Sequence, residues 1–422
     1  MPLTSVMPHG SASTYIRYQV TEFDSQITIV GGGIAGLWLL NRLCLAGYDA
    51  ILLDKGGLGS GQTLASQGII HGGLKYALNG ILNPASSAIA DMPERWRACL
   101  QGAGEIDLRA TRLLSPSYYM WSGGSMRSRF KSFLGSKALR GRIDTVHPTE
   151  YPFFFEEATE NNIRGTLYRL PDFVVDTPSL LESLASPWMD RIFSCRDVYL
   201  EGDRLTVKTQ GASIRIRSDK TILCAGEGNE ALLSGLSHPA KKKAPAMQRR
   251  PLHMVAVQLA HPFPVYVHCI GDRFGMTPRL TVTSHPCPQD RKRPWIWYLG
   301  GELAETGINL EPAQQHEKAR QLLSTMFPWV NLEDAQWQSI VVNRAEPKVP
   351  DLNRPDNAFV SDLGKVMVCW PTKLTLCPNL GDTVLSRIES EFPPSQLICK
   401  PGLTPYLSQA RLALPKWENL LS

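Results

Sequence analysis

Residues 26–55 read QITIVGGGIAGLWLLNRLCLAGYDAILLDK. Ile27 to Val30 is a short β-branched run that halts at three glycines. Ile34, Leu37, Leu40 and Leu43 then recur at helical spacing until Ala46-Gly47 gives a stop signal. A second apolar run, Ala50 to Leu53, ends in Asp54. The spacing predicts strand, tight turn, helix and strand, a βαβ unit of about thirty residues with the right-handed crossover such units adopt.

The turn Gly31-Gly32-Gly33-Ile34-Ala35-Gly36 matches G-x-G-x-x-G. Gly31 permits the sharp turn, Gly33 lets the backbone reach a pyrophosphate, and Gly36 lets the helix lie close on the strands. Ile34 and Ala35 open that helix, whose N-terminus attracts the anion. Asp54, 23 residues after Gly31, is placed to accept hydrogen bonds from ribose hydroxyls, and Lys55 follows it. A glycine hexad alone is a weak sign. With strand, helix, strand and terminal acid in place it predicts a bound dinucleotide.

The 422 residues leave room for two to three domains at about 150 residues each. A hydrophobic share of 43% with 20% charged residues excludes a disordered or collagen-like chain. Lys plus Arg at 44 against Asp plus Glu at 39 gives +5, too dilute a charge to predict nucleic-acid binding. The nine cysteines are scattered without a C-x-x-C pair, which points to a reducing, cytoplasmic setting and to no structural metal site. No apolar leader opens the chain, and no run reaches the roughly 18 apolar residues of a spanning helix.

Nicotinamide and flavin enzymes share the glycine fingerprint, so later segments decide between them. Residues 58–76 read LGSGQTLASQGIIHGGLKY, a Gly/Ser/Thr-rich segment leading to His71-Gly72-Gly73-Leu74-Lys75-Tyr76. This resembles the FAD-dependent oxidoreductases of the D-amino-acid oxidase (DAO) superfamily, and within it the glycerol-3-phosphate dehydrogenase-like and 2-hydroxyglutarate dehydrogenase-like branches. There a Ser/Thr-rich loop leads to an H-G-G step under the flavin ring; Lys75 stands where the glycerol-3-phosphate branch has Arg. The strand Thr221 to Leu223, running into Cys224-Ala225-Gly226, resembles the family's returning strand, and Arg196-Asp197-Val198 its adenine-contacting segment. Gly364 to Trp370 reads as a strand, followed by PTKLTLCPNLGDTVLSRI as loop and helix, with Lys373-Leu374-Thr375 resembling the K-L-T of the same branch.

The resemblance covers roughly residues 26 to 392. It implies FAD as cofactor, held by Gly31, Gly33, Ile34, Ala35, Gly36, Asp54, Lys55, Gly61, Gln62, Thr63, Ser66, Gly68, Val198, Ala225, Gly226, Lys373, Leu374 and Thr375. The C-terminal loop and helix would offer backbone N–H groups and dipole to the N1/C2 edge of the ring. The implied fold class is α/β. A Rossmann-like FAD-binding domain of glutathione reductase-2 type is discontinuous at 26–95, 165–240 and 340–395, and 96–164 with 241–339 form an antiparallel-sheet α+β substrate domain. Candidate strands of that domain are Leu252 to Leu259, Val265 to Cys269, Leu280 to Thr283 and Trp295 to Leu299. Residues 1–25 are expected as an N-terminal extension and 396–422 as a peripheral tail.

The family's chemistry takes hydride from a C–H beside oxygen or nitrogen to flavin N5 while a base removes the heteroatom proton. His71 is the candidate base, since imidazole titrates near neutrality; its alternative role is to contact the flavin only. Arg344, in VVNRAEPKVPD, resembles the family's G-x-R-P arginine that reaches the substrate anion, with Asn343 in place of Gly and Ala345-Glu346 ahead of the proline. Lys373 and Lys75 are candidates to stabilise reduced anionic flavin, and Tyr76 to hydrogen-bond substrate. The basic run 126–142, MRSRFKSFLGSKALRGR, could lie on an anionic membrane and pass electrons to quinone, or form a solvated insert or lid. The expectation is an FAD-dependent dehydrogenase or oxidase with non-covalent FAD, since no motif cysteine sits in the early flavin loop, the alternative being histidyl attachment through His71. Its substrate would be a small anion (hydroxy acid, polyol phosphate or amino acid), and its acceptor oxygen or quinone. Alternatives are a monooxygenase, for which no second G-x-G-x-x-G is present, and a flavoprotein without turnover.

Overall fold

The computed structural model describes residues 21–72, 89–123, 143–209, 213–270, 278–287, 289–350, 357–395 and 402–418. The amino-terminal half runs β1 (Thr21–Val30), α1 (Ile34–Leu45), β2 (Ala50–Asp54), β3 (Ile69–Ile70), α2 (Met92–Leu100), β4 (Leu113–Ser115), β5 (Tyr118–Gly123), β6 (Asp144–Thr145), α3 (Phe153–Glu160), β7 (Gly165–Leu170), β8 (Phe173–Val175) and α4 (Thr177–Ala185). It continues with β9 (Ile192–Ser194), β10 (Asp197–Glu201), β11 (Arg204–Lys208), β12 (Ser213–Leu223), α5 (Asn229–Ser234) and α6 (His238–Lys243). The remainder is β13 (Met247–Leu259), β14 (Val267–Ile270), β15 (Leu280–Pro286), β16 (Trp295–Gly300), α7 (Glu302–Thr306), α8 (Pro312–Met326), β17 (Gln336–Pro347), β18 (Phe359–Asp362), β19 (Val366–Trp370) and α9 (Cys377–Glu391).

The glycine turn heads a parallel core in which β9, β2, β1, β12 and β19 lie side by side. Ile27 to Val30 and Ala50 to Leu53 are buried along their whole length, as strands covered on both faces must be. Helix α1 is buried on nearly every side, with ten of its twelve residues buried, because α4 and α9 pack on it as well as the sheet. β12 serves two neighbours on one side: its first half pairs antiparallel with β11, and its last residues pair parallel with β19.

The second sheet has the order β17-β13-β16-β15-β14-β5-β7-β6, antiparallel except at β14 and β5. Its core gathers Phe154, Phe155, Trp297 and Phe327. The four strands expected from sequence all occur here as β13 to β16, β13 extended back to Met247. A small sheet, β3-β8-β4, joins the two units by pairing Ile70 with Phe173.

The sheets divide the chain differently from the expected boundaries. β7, inside the expected 165–240 cofactor segment, lies between β5 and β6 in the substrate sheet. β17, inside the expected 340–395 segment, pairs with β13 from Met247↔Pro347 to Gln258↔Gln336. Conversely, α2 and Leu108 pack in the cofactor-side core through Trp96 and Cys99. In each case strand pairing and apolar burial, which depend on distant partners, outweigh the composition of the segment.

Both termini are corrected too. Thr21 to Ser25, expected as extension, forms the start of β1 against Ile214 to Ser218. The 402–418 segment is not peripheral: Leu403, Leu407, Ala410 and Trp417 are buried. It bridges Leu58 at Leu412, then seats Trp417 on His285 and Tyr298 at ring distances of 4.6 and 4.9 Å, so it straps the two sheets together. Among the described residues no helix is long and apolar enough to cross a membrane. Lys75, Tyr76 and the basic run 126–142 lie outside the described residues.

A methyl group added at Gly36 would fall 1.9 Å from the backbone carbonyl oxygen of Gly31, with the Leu52 side chain at 3.3 Å. Gly36→Ala is expected to lose about 3 kcal/mol or more of stability, the upper range for overpacking, in denaturant unfolding. An unchanged midpoint would show that the helix need not lie this close.

Candidate active site

A cavity of about 1010 Å³ opens where the parallel strands end and the second sheet faces them. That lies at the upper end of the roughly 300–1,000 Å³ of ligand pockets and suits a long cofactor with a small substrate beyond it. Its position outside the carboxyl ends of parallel strands is where open α/β sheets bind ligands.

The glycine turn forms one end. Gly31 has φ +114°, and a Cβ there would meet the Cys224 carbonyl carbon and oxygen, both at 2.6 Å. Glycine is thus required by conformation and by the neighbouring strand end together. Asp54 holds the same turn: Oδ2 accepts from the Gly32 N–H at 2.7 Å and Oδ1 from the Gly56 N–H at 3.1 Å. A carboxylate has about four lone-pair sites, so capacity remains towards the cavity. Thr63 Oγ1 accepts from the Ile34 N–H at 3.0 Å, serving one of the donors that a helix start leaves without an intrahelical partner. Lys55 is paired with Asp197 at 2.7 Å.

Most residues singled out by sequence converge on this cavity. Gly31, Gly33, Ile34, Ala35, Asp54, Lys55, Gly61, Gln62, Thr63, Ser66, His71, Val198, Ala225, Gly226, Arg344, Lys373 and Leu374 all line it. Gly36, Gly68 and Thr375 do not; they stand behind the wall. Gly68 has φ +69°, its Cβ would sit 2.2 Å from the Val175 oxygen, and it accepts from the Val175 N–H at 2.9 Å, which makes it a strand-pairing glycine. Thr375 Oγ1 accepts from the His71 N–H at 3.1 Å while its carbonyl accepts from Trp96 Nε1 at 3.0 Å, so it positions His71.

Ser66 tests whether these walls fit a bound group. Its Oγ is buried on the cavity wall and has no hydrogen-bond partner among the described residues. Native proteins rarely leave a buried hydroxyl so, and a polar ligand in the cavity would complete it. The flavin fits this setting: a glycine turn and helix start for a diphosphate, an acid for ribose, and an unpaired hydroxyl along the path. The roof is the loop before Lys373, where Thr372 adopts φ +61°, an uncommon conformation for a β-branched residue and one associated with functional loops. Lys373 itself is buried.

The far end is largely apolar, formed by Met120, Leu170, Leu252, Met254, Ile270 and Val342. Arg344 enters it from β17, its Nε donating to the Arg250 carbonyl at 3.2 Å and Nη2 lying 3.8 Å from Glu305. Gln67, which the sequence did not single out, donates from Nε2 to the Thr281 and Tyr298 carbonyls at 3.2 and 2.8 Å, tying the cofactor loop to the second sheet. A second omission is Asp172, a 2% exposed carboxyl on the cavity wall whose Oδ1 accepts from the Gly72 N–H at 2.8 Å. Burial pushes it up to about 7, with the Gly72 N–H and Arg97 acting the other way. Nothing local in RLPDFVVD marks it.

Fold and cavity together define a flavin-dependent oxidoreductase. The FAD dependent oxidoreductase family, DAO, matches residues 26–360, and the chain belongs to it. It is 44% identical over 405 residues to a probable FAD-dependent oxidoreductase of Pseudomonas aeruginosa, covering 94% of this chain and 98% of that one. A crystal structure of an FAD dependent oxidoreductase from the same organism superposes with a TM-score of 0.77 at 40% identity, over 96% of this chain and 99% of the other. Glycine oxidase of Geobacillus kaustophilus has the same fold at 15% identity, with a TM-score of 0.59 over 93% of this chain and all (100%) of that one. L-α-glycerophosphate oxidase of Mycoplasma pneumoniae, solved with FAD bound, gives 0.57 at 14% identity over 87% and 95%.

Asp54→Ala removes the carboxylate that accepts from the Gly32 N–H of the turn and from the Gly56 N–H beyond it. It is expected to weaken FAD retention about tenfold, as two lost charge-assisted hydrogen bonds partly offset by relaxation would give, measured by flavin fluorescence released on dilution. Retention equal to wild type would show that the turn holds its shape unaided.

Proposed function

We propose that the enzyme oxidises a small carboxylate bearing a hydroxyl or amine on the carbon next to the carboxyl group, an amino acid or hydroxy acid, with oxygen or quinone as final electron acceptor. Bound FAD supplies the two-electron acceptor, taking hydride at N5. Gly31 to Ala35 and Asp54 would hold its diphosphate and ribose ends, Ser66 and Ala225-Gly226 its middle, and Lys373-Leu374 its ring edge. The FAD is held without a covalent bond.

The observation that carries this reading is Arg344. A guanidinium on β17 that lines the same cavity as His71 and the apolar Leu252, Met254 and Val342 recognises an anion and leaves the rest of the substrate to apolar contact. Glu305 at 3.8 Å offsets part of its charge, which suits a singly charged carboxylate better than a phosphate dianion. His71, fixed through its backbone by Thr375, contacts ring and substrate where they meet. Lys373 steadies negative charge as it develops on the ring edge, an effect strengthened by its burial.

Anaerobic mixing with a panel of amino and hydroxy acids is expected to bleach the flavin absorbance, whereas glycerol 3-phosphate should leave it yellow. Bleaching by the phosphate alone would overturn the carboxylate reading. Arg344→Met should keep the colour and raise the half-saturating substrate concentration about 100-fold, the loss expected when one partner of a partly buried charge pair is removed. An unchanged half-saturation would remove Arg344 from the substrate site.

A further inference from the structure

Asp172 occupies the two-residue link between β7 and β8, the point where the substrate sheet hands the chain to the small connecting sheet. Pairing of Ile70 with Phe173 brings it beside His71-Gly72, a hundred residues away in sequence. It lines the same cavity as His71, Met120, Leu170, His268 and Ile270. One oxygen accepts from the Gly72 N–H; among the described residues no cation lies within ion-pair distance and no side chain donates to it.

The surroundings explain why this carboxyl exchanges a proton rather than remaining charged. Arg97 on α2 and Tyr118 on β5 act on it electrostatically, His71 after β3 and His268 on β14 line the same cavity, and Asp176 before α4 is the next carboxylate along the chain. Arg97 spends its guanidinium on the Pro171 carbonyl at 2.9 Å and the Phe173 ring at 4.4 Å. Tyr118 donates to the Val267 and Val282 carbonyls, His268 is bonded to Thr281, and Asp176 is paired with Arg112. Arg97 favours the charged form of Asp172 but makes no ion pair with it, and a carboxylate out of water without a close partner is costly. Burial therefore holds its proton until about pH 7, the range in which a general base works well at neutral pH.

We infer that Asp172, rather than His71, is the proton acceptor of the reaction: its carboxylate takes the proton from the substrate hydroxyl or amine as the adjacent carbon is oxidised. This rests on the functional reading above. The substrate loses a C–H electron pair with its hydrogen to the bound FAD and an O–H or N–H proton to Asp172, leaving C=O or C=N. The aspartic acid then returns its proton to water.

Two measurements on the FAD-loaded protein decide the matter. The carbonyl infrared band of a protonated buried carboxyl should titrate near pH 7 in wild type and be missing in Asp172→Asn. In single-turnover bleaching by an amino or hydroxy acid, the wild-type rate should rise with pH and level off above that point. Asp172→Asn, which keeps an acceptor for the Gly72 N–H, should stay yellow, bleach about 100-fold or more slowly and lose that limb; Asp172→Glu should restore it. His71→Asn should retain the limb. Asp172→Asn bleaching within a few-fold of wild type with the limb intact, or loss of the limb in His71→Asn alone, overturns the assignment. Wild-type protein bleached by no acid of either class would instead overturn the functional reading, and the proton-acceptor role with it.

Discussion

The approach of Gly31 to the carbonyl of Cys224 is the contact on which the remaining structure depends. Two parallel strands, β1 and β12, end side by side, and the chain leaving β1 must turn within the space that a single Cβ would fill. Because the turn is that tight, helix α1 starts directly beneath it and lies against β2, and Gly36 is forced onto the Gly31 carbonyl. Asp54 and Thr63 then fasten the turn from the next strand and the following loop. The result is a rigid concave shelf of backbone N–H groups at a helix start, a setting in which a diphosphate is bound without any cationic side chain.

The second sheet gives this shelf a specific use. It closes over the far end of the cavity with apolar side chains and admits few ionisable groups, each controlled differently. Arg344 stays charged but is moderated by Glu305, Lys373 is buried in the roof, and Asp172 forms no ion pair among the described residues. Fixing an anion and accepting a proton demand opposite environments, one favouring charge and the other disfavouring it. In the proposed reaction these tasks fall to Arg344 on a sheet strand and Asp172 in the link between two sheets, both lining one cavity.

How much of this was legible in the sequence follows from how local each feature is. The glycine hexad, Asp54, Thr63 and the Lys373-Leu374 turn lie within short segments whose spacing has a mechanical meaning, and they meet on the cavity wall. Gly68 and Thr375 belong to equally recognisable segments but serve them from behind, holding β8 and His71, a distinction that needs coordinates. Asp172 and Gln67 gave no signal, because their roles come from partners a hundred or more residues away. The domain boundaries shifted at β7 and β17 for the same reason: strand pairing assigns them to a sheet that their own residues do not announce. Trp417 shows the same limit at the end of the chain, where Leu403, Leu407, Ala410 and Trp417 are buried against the two sheets and make a strap of a segment read as a peripheral tail.

A crystal structure of the protein grown with FAD tests the central claim most directly. The account predicts the diphosphate against the Gly31 to Ala35 turn, an oxygen or nitrogen of the cofactor within hydrogen-bond distance of Ser66 Oγ, and the ring between His71 and Lys373-Leu374. Cofactor density elsewhere on the molecule, or a diphosphate remote from that turn, would contradict it.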